Sequence, residues 1–527
     1  MLAQETIRAD TATHHPRTAD PMTDVCMATL GDLLEVGQAR ATAVVVPDGP
    51  VLTYADLRSH AWRVADRLAA LGLGPRDRVA ICMPNGPEAI VAFLGAALVG
   101  SAAPLNPVLT EAELRNACRD LDPQALLIGT SGMDAARRVW PNERPVLQIC
   151  LDGQARLSIR TVATGRVDYA SVAARPADVG LVLQTSGTTG HPKRVPLRHQ
   201  QIVASAQNIV RTYNLEPGDV SLCVMPLFHV HGLIGSVLAT LASGGRVVLP
   251  PEPDAIGLCQ LATTHGVTWY SGVPTFHQLV LSCLRSHSGG PRIPTLRFIR
   301  SASSRLGPNT LDALEREFDV PVLEAFGMTE AAHQVASNPL PPASRKASSV
   351  GRGTGVQIAI ADESGARLGL GAIGEVIIRG LNVIDAYDAD PQVNAAAFTF
   401  DGWFRTGDLG TLDADGFLSI VGRIKELINR GGEKVAPSEV EDVLLAHPAV
   451  AEAVCFGIPH ARWGEEMATA VVPRHNVTRS ELLAHCRQHL AEFKVPKRLL
   501  LVEAIPRTAT GKVQRSRVAA IYSEVHA

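Results

Sequence analysis

No long uninterrupted apolar run, no Cys-x-x-Cys pair, no excess of either charge and no short internal repeat occur in the 527-residue chain, and each absence removes a class of protein. The longest apolar stretch, Ala89 to Leu105, is broken by Gly95, Gly100, Ser101 and Pro104. It falls short of the roughly 20 residues that cross a bilayer, so no membrane span is expected. Nine cysteines stand far apart, without a histidine at zinc spacing, and read as core thiols of a reducing compartment. Lys plus Arg (49) nearly cancels Asp plus Glu (52), leaving a net charge of −3. That balance carries no overall footprint for nucleic acid, so an anionic ligand would be held by local groups. The first twenty residues mix Glu5, Asp10, His14 and His15 without an apolar run, which is not a secretory signal. A cytoplasmic location is expected, with residues 1–24 as a disordered tail. A solenoid or propeller is excluded because no period of 20 to 50 residues is visible.

What is present describes a globular protein of more than one domain. Hydrophobic residues make up 46% and charged residues 19%, which is enough apolar content for sizeable cores in a chain too long for a single one. Leu57, Ala61, Val64, Leu68 and Leu71 recur at helical spacing before Gly72, and the β-rich run Arg78 to Cys82 follows. The alternation returns as a helical pattern at 87–100, then at Ala125 to Ile128, as a helix near 198–212, at Ser221 to Val224, and again around 230–249. Such alternation predicts βαβ units on largely parallel sheets. Beyond about residue 350 the texture becomes strand-like, at Val356 to Ala361 and Glu375 to Arg379. A charged, Gly-rich joint, Gly422 to Gly432, then leads into a small α+β unit in which Ser438 and Glu441 form a capping box. The expected fold is α/β, with a large N-terminal domain of parallel-rich sheets over 25–423 and a small α+β C-terminal domain over 424–527.

The strongest chemical signal is the segment from Thr185 through Ser186, Gly187, Thr188, Thr189 and Gly190 to Lys193, placed directly after the apolar run Leu181 to Leu183. A strand opening into a loop of small hydroxyl residues and glycines, closed by a lysine, can wrap N–H groups and hydroxyls around phosphate oxygens. Pro192 before Lys193, and the lack of Gly-Lys-Ser/Thr, distinguish it from a Walker A loop.

This loop resembles the signature of the adenylate-forming superfamily of acyl-CoA synthetases, adenylation domains and luciferases. Four further motifs follow in the family's order: Glu324 to Glu330, Gly402 to Asp408, Gly422 to Lys425 with Gly431, Gly432 and Pro437 to Glu441, and Pro506 to Lys512. The resemblance covers about residues 30 to 520 and implies joining of a carboxylic acid to ATP as an acyl adenylate, then transfer to the thiol of CoA. It implies that Lys512 bridges carboxylate and α-phosphate, that Glu330 is a Mg²⁺ ligand, and that Thr329 donates to phosphate. Cofactor contacts are expected from the loop residues with Lys193, from Ser303, Glu324, Phe326 and Gly327, from Asp408 to both ribose hydroxyls, and from Arg423. Lys425 is the expected hinge about which a mobile C-terminal domain rotates between half-reactions. Gly431 and Gly432 would border the CoA arm. The basic C-terminal stretch fits polyanionic CoA or ATP, and equally a solvated basic face.

Within the superfamily, Pro226 to Gly232, Arg300 to Ser303, Met328 to His333 and Asn338 to Pro341 are similar to oxalate CoA ligases and their fatty-acid-like relatives. For a small diacid, His229, His231, Ser303 and His333 could receive the distal carboxylate, since an unpaired buried charge is costly. Large hydrophobic or polycyclic acids also stay open. Arg194 stands where the family usually has glycine, and would add a phosphate contact or obstruct ATP; Arg305 would pair with an acidic substrate or narrow the pocket. From those departures comes one alternative, a ligase that only forms the thioester from a supplied acyl adenylate. A stand-alone adenylation enzyme loading a carrier protein in trans is the other.

Overall fold

The computed structural model describes residues 27–130, 134–163, 174–185, 193–251, 255, 257–286, 293–507 and 513–523. Ser186, Gly187, Thr188, Thr189, Gly190 and Lys512, and the tail 1–24, lie outside them.

Two parallel-rich sheets form the larger part. In the seven-stranded sheet the order is Leu157–Ala163, Val146–Leu151, Ala125–Ile128, Arg78–Cys82, Ser101–Leu105, Val179–Thr185 and Lys193–Arg198, antiparallel only at its two edges. The nine-stranded sheet has Val322–Met328, Phe298–Ser301, Trp269–Gly272, Val220–Cys223, Arg246–Val248 and Thr42–Val45 as successive parallel neighbours. Helices Tyr54–Ala69, Pro87–Val99 and His199–Tyr213 fill the space between the sheets. The broken apolar stretch of the sequence is explained here: all but one residue of Pro87–Val99 is buried, because one face packs on the seven-stranded sheet and the other on Tyr54–Ala69. Gly95 permits that second contact, since a Cβ there would lie 2.5 Å from Val64. Among the described residues no helix is long and apolar enough to cross a membrane.

A four-stranded antiparallel sheet follows, Val356–Ala361, Gly374–Gly380, Phe404–Leu412 and Leu418–Arg423. Arg423 ends its last strand, the turn Ile424–Glu426 contains Lys425, and Ile428–Arg430 begins a five-stranded sheet of the C-terminal part. That sheet, with helices Pro437–Ala446 and Arg479–His489, encloses its own core of Ile428, Val440, Leu444, Cys455, Met467, Val471 and Leu482.

One local expectation fails for a tertiary reason. Ser438 and Glu441 do not cap: the helix starts with Pro437 after Ala436, the Ser438 hydroxyl donates to the Val421 carbonyl, and Glu441 accepts from the Cys455 N–H (2.7 Å) and pairs with Arg515. The alternation around 230–249 is present as helical segments followed by the strand Arg246–Val248, with a π-helical turn Leu233–Leu238 between the α-helical pieces. Gly235 sits in that turn against the His333 ring, where a Cβ would approach to 2.4 Å. A widened turn of this kind commonly marks a functional site.

Leu94→Ala should cost about 2–5 kcal/mol. Urea denaturation is expected to show a lower midpoint for the N-terminal transition at unchanged slope.

Candidate active site

The carboxyl ends of the parallel strands converge. Gly272 pairs with Ser301, and Ser301 with Glu324, so three neighbouring strands end in one row. Crevices beyond such ends are where ligands bind in open α/β sheets. The strand Val322–Met328 runs into the tight turn Thr329–Ala331, and positive φ at Ala332 (46°) and His333 (102°) turns the chain back as an antiparallel strand. Gly327 is required for this return, since a Cβ would lie 1.8 Å from the His333 carbonyl oxygen. Glu330 is thereby placed in the interior. Its Oε1 accepts from the Tyr387 hydroxyl (2.8 Å), and its backbone carbonyl accepts from Ile384 N–H (2.8 Å). Burial, and then the Glu330 charge, holds the Tyr387 phenol well above its ordinary value and so keeps it a donor.

From the other sheet, Thr185 and Lys193 pair across the mouth of the phosphate loop. The Lys193 ammonium lies 4.3 Å from the centroid of the Tyr387 ring. Burial lowers its pKa, opposed by Glu330 and reinforced by Lys425. The structure thus brings Lys193, Glu330 and Lys425, the expected hinge, into one electrostatic neighbourhood.

Asp408 and Arg423 pair in register on neighbouring strands, with Arg423 Nε donating to Asp408 Oδ1 (2.9 Å). Asp408 is 3% exposed, and among the described residues its Oδ2 has no hydrogen-bond partner. Burial pushes its carboxyl up to about 6, against the pull of Arg423. A buried acceptor without a donor is costly, and the hydroxyls of a ribose are donors of the needed kind. For Mg²⁺ the fit is of the usual sparse sort: among the described residues no group of three or more His, Cys, Asp or Glu forms a cage, and a single carboxylate such as Glu330 combined with substrate phosphates is how this ion is commonly held.

At the acid end, His231 lies between two hydroxyls, with Nδ1 3.0 Å from Ser303 Oγ and Nε2 2.7 Å from Ser271 Oγ. Its ring stacks on His333, centroids 4.9 Å apart. Behind Ser271 stands Arg300, 0% exposed, donating to Ser271 Oγ (2.9 Å), Tyr213 Oη (2.8 Å) and Gln334 Oε1 (3.0 Å). Among the described residues no carboxylate pairs with it. Arginine only donates, so Ser271 Oγ accepts from Arg300, and the two hydroxyls with the His231 ring between them form one continuous polar row from Arg300 to Ser303. Ser303 holds a left-handed φ of 73°. His229 precedes the same turn with its ring against Phe228 (4.7 Å).

Glu324 is buried and raised to about 7, by burial first, with the Leu306 backbone and Arg305 opposing. Phe326 packs on the main core. Gly431 (φ 63°) and Gly432 (φ 99°) form the two-residue turn between Ile428–Arg430 and Glu433–Val435, which requires positive φ at both positions. Their local necessity is therefore the hairpin.

The two departing arginines are each held by a carboxylate. Arg194 Nε donates to Asp388 Oδ2 (2.8 Å), and Arg305 pairs with Asp442 on helix Pro437–Ala446. Ser271 and Tyr387 carried no site signal: the first lies in a plain strand, and the second shows only as an aromatic after Ala386. Arg300 was visible within its motif, but burial alone gives it meaning.

Comparison with known proteins agrees with this arrangement. The family model described as AMP-binding enzyme matches residues 35–388, and that of the AMP-binding enzyme C-terminal domain matches 439–512. An oxalate–CoA ligase of Arabidopsis thaliana is 42% identical, covering 90% of this chain and 94% of its own. A sulfoacetate–CoA ligase of Cupriavidus necator is 36% identical over 90% and 93%. The ATP-bound crystal structure of MatB from Rhodopseudomonas palustris superposes with a TM-score of 0.85 at 30% identity, covering 95% of this chain and all of that one. The chain belongs to the AMP-binding enzyme family and is an AMP-forming acid–thiol ligase.

Proposed function

We propose that the protein activates a small carboxylic acid bearing a second anionic group, of which oxalate is the simplest, as its acyl adenylate and transfers the acyl group to CoA. The observation that carries this reading is the polar row from the buried cation Arg300 through Ser271 and His231 to Ser303. Hydroxyls and an imidazole backed by a buried cation suit an anionic oxygen and are wasted on a hydrocarbon tail. Relatives that act on oxalate and on sulfoacetate are named for acids of this kind.

In the first half-reaction one carboxylate oxygen attacks the α-phosphorus and the bond to pyrophosphate breaks. Two anions must meet, so cations at the developing charge are needed. Lys512 supplies the one between carboxylate and α-phosphate, while Lys193 closes the phosphate loop and Asp408 with Arg423 holds the ribose. Glu330 would hold, together with the phosphates, a Mg²⁺ ion that supplies positive charge against the leaving pyrophosphate, and Thr329 would donate to phosphate. In the second half-reaction the CoA sulfur attacks the acyl carbon and AMP leaves, after rotation about Lys425. The alternative of a thioester-only ligase draws on Arg194 and the Ala302 to Arg305 segment; the ion pairs of Arg194 with Asp388 and of Arg305 with Asp442 support the full ligase. Transfer to a carrier protein in place of CoA has no supporting feature.

Pyrophosphate exchange across oxalate, sulfoacetate, malonate, acetate, hexanoate and benzoate, followed by mass detection with CoA, should favour the dianions. Preference for hexanoate or benzoate would refute the acid class. Ser303→Ala should raise KM for the diacid roughly 10- to 100-fold, the worth of a hydrogen bond to a charged group. ATP affinity, measured by calorimetry, should weaken as pH falls through about 6, because protonation of Asp408 removes an acceptor for ribose. Above that pH it should be flat, and Asp408→Asn should be weak throughout with no step. Lys512→Ala should slow adenylation by about 10²- to 10³-fold and spare thioester formation from added adenylate; equal loss in both steps would make it structural.

A further inference from the structure

Arg194 is joined to the far side of the site by a compact set of contacts. Asp388 Oδ2 accepts from Arg194 Nε (2.8 Å) and from Arg78 Nη2 (2.6 Å). Both guanidiniums also cap the carboxyl end of helix Glu111–Leu121, Arg194 on the Asp120 carbonyl (3.1 Å) and Arg78 on the Leu121 carbonyl (2.7 Å). Two cations thus share one carboxylate and the negative end of a helix dipole. The backbone adds a bridge, with Asp388 N–H donating to the Arg194 carbonyl (3.1 Å). Asp388 is therefore held by both its side chain and its main chain.

Its neighbour in the chain is Tyr387, the residue that donates to Glu330 and lies under Lys193. Asn394 fixes the same residue from its other side, accepting from Tyr387 N–H (2.7 Å) and donating to its carbonyl (3.0 Å). A phenol at the end of a half-free segment would sample several rotamers. One whose backbone is clamped at both ends presents its hydroxyl in one place.

We propose that Arg194 is a positioning residue which, with Arg78, clamps Asp388 so that Tyr387 orients the Glu330 carboxylate for Mg²⁺. It acts through Asp388 and Tyr387 and touches no nucleotide. The inference rests on the reading of Glu330 as the metal-binding carboxylate. A glycine at position 194 would leave Asp388 to Arg78 alone.

The test measures ATP affinity by calorimetry in full-length protein, with and without free Mg²⁺, together with each half-reaction. Arg194→Ala should raise the Mg²⁺ needed for half-maximal pyrophosphate exchange roughly 10- to 100-fold, as loss of a group supporting a metal ligand does. Metal-free ATP affinity, KM for the acid, and thioester formation from supplied adenylate should stay unchanged. Asp388→Asn and Tyr387→Phe should reproduce the shift, and Arg194→Ala combined with Asp388→Asn should be no worse than either alone. Equal weakening of ATP binding with and without Mg²⁺ would show a direct phosphate contact and overturn the proposal, as would additive effects in the double variant. Arg194→Lys keeps the charge and guards against misfolding; it should give an intermediate shift. Glu330→Gln separates the two readings. No Mg²⁺ shift in that variant refutes the assignment of Glu330 and the clamp with it, whereas a shift there and none in Arg194→Ala refutes the clamp alone.

Discussion

The hydrogen bond from the Tyr387 hydroxyl to Glu330 is the contact on which the arrangement of the site depends. A carboxylate out of water is tolerated only where donors or cations meet it, so burying Glu330 obliges the chain to bring a donor to it. That donor comes from the segment between two strands of the four-stranded sheet, while Glu330 itself ends a strand of the nine-stranded sheet. Asp388, one residue on, is bound to the edge of the seven-stranded sheet through Arg194. Three sheets with separate hydrogen-bond ladders are thus tied at one point by polar, directional contacts. Apolar packing alone would tolerate small slips between them, whereas hydrogen bonds of 2.6 to 2.8 Å do not.

Around that point the charges are arranged unevenly. Lys193 is held low by burial and by Lys425, and Asp408 is held high by burial, with Glu426 and Glu330 adding to the push. Both shifts are the signs of groups placed for a polyanion that brings its own charge and its own donors. Perturbed groups of this kind gather at functional sites because the ligand, and not the apo fold, completes them. Sharing of the neighbourhood by Lys425, which sits in the turn joining the two parts of the chain, places the joint within electrostatic reach of Lys193.

The acid end works by a different principle. Arg300 is sealed from solvent behind neutral oxygens, and a row of hydroxyl and imidazole groups leads from it to Ser303. Such a chain of hydrogen bonds in a low-dielectric interior is stiff, and each member polarises the next. The π-helical turn and the glycine against His333 belong to the same device, since they let the His231 and His333 rings stack.

Much of this was legible in the residues themselves. Periodicity determined the α/β alternation, the Pro87–Val99 segment, apolar but for Glu88, read as a helix, the Thr185 to Lys193 motif stood out through its run of glycines and small hydroxyl residues, and Glu330, Asp408 and the paired glycines were marked by their place in the family's ordered motifs. The partners of the long charged side chains were not legible. Arg194 and Asp388 are 194 residues apart, Arg305 and Asp442 137, and Arg300 meets Ser271, Tyr213 and Gln334 from three different elements. Ser438, whose position promised a cap, found a carbonyl on another strand instead. A backbone conformation is chosen by forces between near neighbours in the chain, which the sequence displays in order. Flexible charged or hydroxyl side chains take whichever partner the folded sheets bring within 3 Å, and only the tertiary structure decides that.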